Sequence, residues 1–397
     1  MADATARSGG PPAVRRPPRP LERELPPIDR ILGGEWHETD AGRVFARDEW
    51  FPLGHLHGDK PLASVARADS RVLGRLARLE SRLQPHRLAY FDIETTGLAG
   101  GSGTYIVVAG LGSFEIAGEG VPPAFRLRQY FLADVGSERA MLAMLARDLG
   151  RFDGLVTYNG RAFDVPCLDV RLTMARVPSP SRELAHIDLL HAVRRLYRHR
   201  MPACRLAEAE RRLLRLHRPD DIPGWLIPSL YFDYQRLGRA APLRAVLRHN
   251  ADDVLSMVGV LTVLARLIAG DAEDAEDVAA VARWWEHEGD DERARTLYRE
   301  ALPWLEGGDD WDWVAARYAS LCKRAGEREE AARVWRLLWA RGDRTAGLEL
   351  AKDLEHRRRA PGEAAAVVER LLDGARGAEA ETLRHRLERL QGKSKVR

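Results

Sequence analysis

The alternation of apolar and polar positions changes character several times along the chain. Up to residue 30 apolar residues are sparse, and a run such as Arg15-Arg16-Pro17-Pro18-Arg19-Pro20 predicts a flexible, weakly basic tail with too little to bury. Trp36, Val44, Phe45, Trp50 and Phe51, set among glycines, predict a short β-rich extension. Over residues 64–83, Val65, Val72, Leu73, Leu76, Leu79 and Leu83 fall at helical spacing, with Ser64 or Ser70 as the cap. From residue 88 onward short aromatic and β-branched runs predict strands at 88–95, 105–111 and 125–132. A helix opened by Ser137 and ending at Gly150, a buried strand at 154–158 and a helix after Asp164 complete a mixed α/β layout. Beyond residue 182 the pattern is mostly helical, and the longest core helix spans 242–268.

An acidic, Ala-rich linker at 271–277 separates this region from an all-helical, Trp-rich one. There Gly289-Asp290-Asp291-Glu292-Arg293-Ala294 lines up with Gly326-Glu327-Arg328-Glu329-Glu330-Ala331, and then with Gly362-Glu363-Ala364, at intervals in the mid-thirties. Small residues where paired helices touch, with aromatics in the next layer, resemble tetratricopeptide-type repeats, whose stacked pairs offer a concave surface to a partner. The expected domains are a Pro/Arg-rich tail (1–30), an extension (31–86), a catalytic-type α/β domain (87–270) and a helical repeat domain (275–395).

Composition narrows the class without naming an activity. A 45% hydrophobic and 30% charged chain of 397 residues is that of a globular protein with more than one domain. No apolar run reaches the roughly 18 residues that span a bilayer, and the N-terminal text lacks a hydrophobic leader, so no membrane association and a cytoplasmic location are expected. Cys167, Cys204 and Cys322 lack the C-x-x-C spacing of a thiolate zinc site. The net charge of +3 is too small to imply a polyanion partner, although the arginines from Arg194 to Arg218 (Arg195, Arg198, Arg200, Arg205, Arg211, Arg212 and Arg215 between them) could track a phosphate backbone.

The candidate chemistry starts at Phe91-Asp92-Ile93-Glu94-Thr95-Thr96-Gly97-Leu98. Two positions apart on a strand, Asp92 and Glu94 project from one face, and buried carboxylates so placed call for a cation, with a hard divalent ion as the natural occupant. In Tyr158-Asn159-Gly160-Arg161-Ala162-Phe163-Asp164 the final acid sits at a strand-to-helix junction. In His249-Asn250-Ala251-Asp252-Asp253 the histidine and Asp253 are one helical turn apart and share a face, with Asp252 rotated by about 100°.

Taken together, these segments resemble the DEDD superfamily of 3′–5′ exonucleases and, more narrowly, its YprB-like branch. Further support comes from Gly100-Gly101-Ser102-Gly103-Thr104-Tyr105, His186-Ile187-Asp188 and Asp221-Ile222-Pro223-Gly224. The resemblance covers about residues 88–267 and implies an α/β, ribonuclease H-like mixed sheet flanked by helices, followed by the all-α tetratricopeptide-like domain. It further implies that Asp92, Glu94, Asp164 and Asp253 hold two Mg²⁺ or Mn²⁺ ions about 3.5–4 Å apart, with His249 taking or orienting the proton of the attacking water. One departure stands out: the motif usually has a His five residues before its Asp or a Tyr four before, whereas His249 stands four before Asp253; Asp252, at three, fits neither pattern, so Asp253 is the expected ligand and Asp252 the alternative. Thr95, Thr96, Gly97, Leu98, Tyr158, Asn159, Phe163 and Asn250 are the expected substrate contacts. Asp188 is expected to cap the helix after it, and the glycine run at 100–103 to form a hairpin turn. The implied substrate is nucleic acid, with DNA in repair-type processing favoured over RNA 3′-end trimming, and the repeats would recruit a protein partner, a helicase being one candidate. The alternative is a scaffold on an inactive nuclease fold.

Overall fold

The computed structural model describes residues 27–97, 103–115 and 122–395. The tail up to residue 26, Leu98 and most of the glycine run expected to form a hairpin lie outside these residues.

Nine strands are present among the described residues: β1 (Glu35–Thr39), β2 (Gly42–Pro52), β3 (Leu56–His57), β4 (Lys60–Pro61), β5 (Leu88–Thr95), β6 (Ile106–Glu115), β7 (Ala124–Phe131), β8 (Gly154–Thr157) and β9 (Ala185–Asp188). Seven form one sheet in the order β1-β2-β7-β6-β5-β8-β9, and β3 and β4 form a separate hairpin. β5 is the hinge of the sheet, antiparallel to β6 and parallel to β8. Its near-continuous apolar run follows from burial on both faces.

The α-helices of the sheet domain are α1 (Ile28–Leu32), α2 (Ser70–Leu76), α3 (Glu138–Leu149), α4 (Asp164–Ala175), α5 (Leu189–Tyr197), α6 (Leu206–Leu213), α7 (Ile227–Leu237) and α8 (Leu243–Ala269). Side chains of β5 alternate between two apolar layers. Ala89, Phe91 and Ile93 pack with α3 and α4, whereas Leu88 and Tyr90 pack with α5 and the C-terminal part of α8. The long α8 lies close against β6 because Gly110 and Gly112 present no side chain. A Cβ on Gly110 would fall 2.3 Å from Asn250 Oδ1, and one on Gly112 2.6 Å from Val254 Cγ1.

The strand–helix order from β5 to α4 and the 27 residues of α8 match the expectation from periodicity. Three features differ. The presumed extension is not separate: β2 pairs with β7 from Phe45↔Phe131 to Pro52↔Ala124, so residues 35–52 extend the main sheet. The single helix expected over 64–83 is a 3₁₀ turn (Leu62–Arg67) followed by α2, capped by Asp69, which accepts from the Arg71 amide at 2.7 Å, rather than by either serine. β9 was not expected at all.

Seven helices follow: α9 (Ala275–His287), α10 (Asp291–Ala301), α11 (Trp311–Arg324), α12 (Arg328–Ala340), α13 (Arg344–His356), α14 (Pro361–Leu372) and α15 (Gly377–Lys395). Each packs on its chain neighbour, and α9 also packs on α5 and α8. Gly289 and Gly326, both at φ 83°, end α9 and α11 in the left-handed conformation that glycine adopts freely. In the third pair Arg359 (φ 53°) holds the turn position, and Gly362 lies inside α14, so the third aligned glycine is out of step with the other two.

Candidate functional site

The site gathers where the antiparallel and parallel halves of the sheet meet, at the C-terminal end of β5. In open α/β sheets this is the position at which strand-end loops diverge and leave a crevice. Asp92 and Glu94 share the face of β5 that α8 covers. Asp164 opens α4, and its Oδ1 accepts from the Ile93 amide at 3.1 Å, which ties the third acid to the backbone between the first two. Asp253 comes from α8.

His249 Nε2, 3.7 Å from Glu94 Oε1 and 3.9 Å from Asp253 Oδ2, links β5 to α8 at this point, and the burial of the acids shows in their proton affinities. The Asp92 carboxyl is pushed well above the usual range, first by burial and then by Asp253, Asp164 and Glu94. Glu94 is pushed up to about 8 by burial, with Asp253 and Asp164 adding to it and His249 opposing it. Burial raises Asp164 to about 7 against the opposing backbone hydrogen bonds. Asp252, by contrast, lines a cavity of about 380 Å³ with Arg47, Glu49, His57 and Arg248, and is not among the charges that raise Asp92 or Glu94. Of the two adjacent acids, Asp253 is the one facing the site.

His249 sits among acids. Its Nδ1 lies 2.7 Å from Asp221 Oδ1, while Nε2 lies 3.7 Å from Glu94 Oε1 and 3.9 Å from Asp253 Oδ2. An ionised carboxylate only accepts, so Nδ1 carries the proton and Nε2 is the atom turned to the site. Burial opposes charging of the ring, but Asp253, Glu94 and Asp221 outweigh it and raise its pKa.

Two of the expected substrate contacts are committed elsewhere. Asn250 is fully buried, and its Nδ2 donates to Asp92 Oδ2 at 2.9 Å and Asp92 O at 3.2 Å. It therefore holds an acid and is sealed from any substrate. The Tyr158 hydroxyl donates to the Cys204 carbonyl at 2.6 Å, so it braces the loop before α6. Asn159 adopts φ 67° with its amide on Asp188 Oδ1 at 2.8 Å, and Phe163 is half-buried against the apolar layer beneath α4. Thr95 Oγ1 donates to the Gly97 carbonyl at 2.7 Å, and Thr96 Oγ1 accepts from the Tyr105 amide at 2.9 Å, which closes the turn after β5. Asp188 caps α5 as expected, accepting from the Leu190 amide at 3.1 Å.

Part of the arginine stripe is paired within the chain: Arg195 with Glu288 at 2.6 Å, Arg200 with Asp277, and the exposed Arg215 with Asp59 at 3.7 Å. Arg218 lies inside the site, donating to Asp253 Oδ1 and Glu210 Oε1, both at 2.7 Å. Gln129 backs the opposite side, its Nε2 donating to Asn250 Oδ1 at 2.9 Å and the Leu247 carbonyl at 2.7 Å. Gln129 and the supporting roles of Arg218, Glu210 and Asp221 escaped sequence reasoning. The nearest signal was the Asp221-Ile222-Pro223-Gly224 segment.

Among the described residues no group of three or more His, Cys, Asp or Glu side chains is arranged as a ready-made ion site. The acids are held on the chain's own donors: Asn250 on Asp92, the Ile93 amide on Asp164, and Arg218 on Asp253. The donor chemistry nonetheless suits a hard cation, because all four are oxygen donors and the raised proton affinities of Asp92, Glu94 and Asp164 register an excess of buried negative charge.

A mixed sheet with helices on both faces and acids at its switch point defines a ribonuclease H-like protein. The family profile described as the RNase_H superfamily matches residues 89–265. The chain is also 32% identical, over 384 residues covering 90% of each protein, to the uncharacterized protein YprB of Bacillus subtilis (strain 168). The chain therefore belongs to the family of YprB, and its residues 89–265 match the RNase_H superfamily. Membership points to a nuclease acting on nucleic acid, in a superfamily whose enzymes generally use divalent ions, typically Mg²⁺. No helix among the described residues is long and apolar enough to cross a membrane.

Proposed function

We propose that the protein is a divalent-metal-dependent 3′–5′ exonuclease of the DEDD type, acting on DNA in preference to RNA, and that its tetratricopeptide-like helices recruit a protein partner such as a helicase. The observation that carries this reading is the convergence of acids from three distant segments: Asp164 on α4 is bonded to the backbone between Asp92 and Glu94 of β5, and His249 Nε2 lies 3.7 Å from Glu94 Oε1 and 3.9 Å from Asp253 Oδ2 of α8. Those four acids would hold two Mg²⁺ or Mn²⁺ ions. When bound, the ions would lower the pKa of the attacking water and stabilise the departing 3′ oxygen.

The remaining work falls to the chain's own groups. Asn250 fixes the Asp92 carboxylate. His249 keeps Nδ1–H on Asp221 and turns Nε2 toward the space flanked by Glu94 and Asp253, where it accepts or orients the proton of the attacking water. The turn of Thr95, Thr96 and Gly97, together with Asn159 and Phe163, would line the approach to the terminal nucleotide.

The test incubates 3′- and 5′-labelled single- and double-stranded DNA and RNA with Mg²⁺ or Mn²⁺. Mononucleotide release from 3′ ends is expected, with DNA cut faster, and Asp92→Ala and Asp253→Ala should each abolish it. His249→Ala should slow turnover by about 10²–10⁴-fold while leaving ion binding largely intact. Activity surviving both acid substitutions would sink the mechanism.

A further inference from the structure

We infer that Arg218 is the positioning residue of this site: one guanidinium, clamped from behind by Glu210, sets the orientation of Asp253 and, through Asp221, of the His249 ring. What these groups do rests on the nuclease reading above, whereas their arrangement is independent of it.

Arginine presents its donors in a rigid planar fork, so each acceptor it takes fixes the plane for the others. Glu210 takes one edge bidentately, with Nε on Oε2 at 3.1 Å and Nη2 on Oε1 at 2.7 Å. Glu210 is itself held, because the Ser256 hydroxyl donates to Oε1 at 2.5 Å, and His57 Nε2 lies 2.8 Å from that hydroxyl. Arg218 is buried to 12% side-chain exposure and Glu210 to 3%, so the guanidinium has no path to swing into solvent.

From this fixed seat Nη2 also donates to Asp253 Oδ1 at 2.7 Å. That bond locks the carboxylate and leaves Oδ2 as the oxygen facing His249. On the other side Nη1 is buried without a hydrogen-bond partner and faces Asp221 Oδ2 at 3.4 Å as an ion pair, while Asp221 Oδ1 takes the Nδ1 proton of His249. A single side chain thus reaches both a candidate ion ligand and the carboxylate that sets the imidazole tautomer. Every edge of the fork faces an acid of the chain, which excludes the phosphate-tracking role expected for Arg218 from its place in the arginine stripe.

The experiment compares the full-length wild type with Arg218→Ala, Arg218→Lys, and Arg218→Met combined with Glu210→Gln, which removes the buried charge together with its partner and so protects folding. Mn²⁺ affinity is read by calorimetry, and the His249 ring by ¹⁵N resonance in histidine-labelled protein. Mn²⁺ binding should weaken about 10–100-fold in Arg218→Ala and in the double variant, the scale on which residues supporting a metal ligand act. Added guanidinium should restore most of the loss in Arg218→Ala, and lysine should not substitute, because it lacks the fork. The His249 ¹⁵N signals should lose their Nδ1–H signature in parallel. A folded variant with wild-type Mn²⁺ affinity and unchanged His249 signals overturns the inference, as does a loss that guanidinium fails to restore in folded Arg218→Ala. Wild-type protein that binds no Mn²⁺ would instead overturn the metal reading, leaving the histidine signals to judge Arg218.

Discussion

Asn250 Nδ2 meets Asp92 Oδ2 at 2.9 Å across a gap that exists only because the residue paired opposite Asp92 on the neighbouring strand is Gly110. Sheet register then places Gln129 opposite Gly110, and its amide holds the Asn250 carboxamide in the one orientation that turns Nδ2 toward the acid. Arg47, opposite Gln129 in the next strand, donates to Gln129 Oε1 at 3.3 Å and completes the row.

Gly110→Ala should therefore act on the site rather than on the fold. Its Cβ would sit 2.3 Å from Asn250 Oδ1, and the carboxamide must yield. We expect divalent-ion affinity and turnover to drop about 10–100-fold. Gln129→Leu removes the donor to two buried acceptors and should destabilise the protein by about 1–3 kcal/mol. Urea unfolding and Mn²⁺ titration check both, and wild-type affinity in the Gly110→Ala protein would show that the spacing is immaterial.

Ion binding should release protons. Glu94 lies at about 8 and Asp164 at about 7, each raised chiefly by burial, so at pH 7 the metal-free site retains protons that a divalent ion must displace. Release of more than one proton per protein, from Asp92, Glu94 and Asp164 together, is expected in weakly buffered solution at pH 7, fading as pH rises. The sign for stability follows: between roughly pH 4 and 8 these carboxyls keep protons in the folded metal-free chain that they have lost in the unfolded one, so their own contribution to stability falls as pH rises. Mn²⁺ should flatten that slope. Binding with no proton release would contradict the raised carboxyl values.

His57 governs the opposite limb. Burial, then Arg218 and His55, push it down to about 4, and it stays neutral against Ser256. The unfolded imidazole titrates at about 6.5, so its contribution is complete above that pH and is lost as pH falls toward 4. The full effect is on the order of 3 kcal/mol for a group this buried. His57→Gln should lose less stability than wild type between pH 7 and 4.5 in urea titrations, and parallel losses would remove His57 as the cause.

What was legible in the sequence is what local patterning encodes. The run from β5 to α4 and the reach of α8 show as periodicity, and the Asp92/Glu94 pair, Asp164 and the His249/Asp253 turn show as motif spacing. β9 did not show, because Ala185-His186-Ile187-Asp188 has no alternation of its own and is a strand only by pairing with β8. Membership of β2 in the main sheet depends on β7, some eighty residues away along the chain, as the Asp48–Arg128 bond illustrates. The substrate role expected for Asn250 failed for the same reason: nothing local to α8 signals that a glycine on β6 and a glutamine on β7 will bury it. Arg218 looked like one of many surface arginines until folding set it among Glu210, Asp221 and Asp253.

The helical array is bolted to the sheet domain, which bears on how the two can be separated. α9 packs on α5 and α8, Trp284 within it is 1% exposed, and its ring meets Trp285 edge-on at 4.6 Å. Arg195–Glu288 at 2.6 Å and the stacked rings of His199 and Trp313, 5.5 Å apart, cross the same junction. A shared apolar core with these cross-ties should melt as one unit, so calorimetry should give a single transition. Trp284→Ala should lower it by about 3–5 kcal/mol of stability, the range for emptying a buried tryptophan site. Deleting residues 275–397 would bare the faces of α5 and α8 that α9 covers, and the truncated chain should aggregate rather than remain an active nuclease. A soluble truncated protein with an unshifted melting temperature would show instead that the sheet domain is self-sufficient and the junction a surface contact.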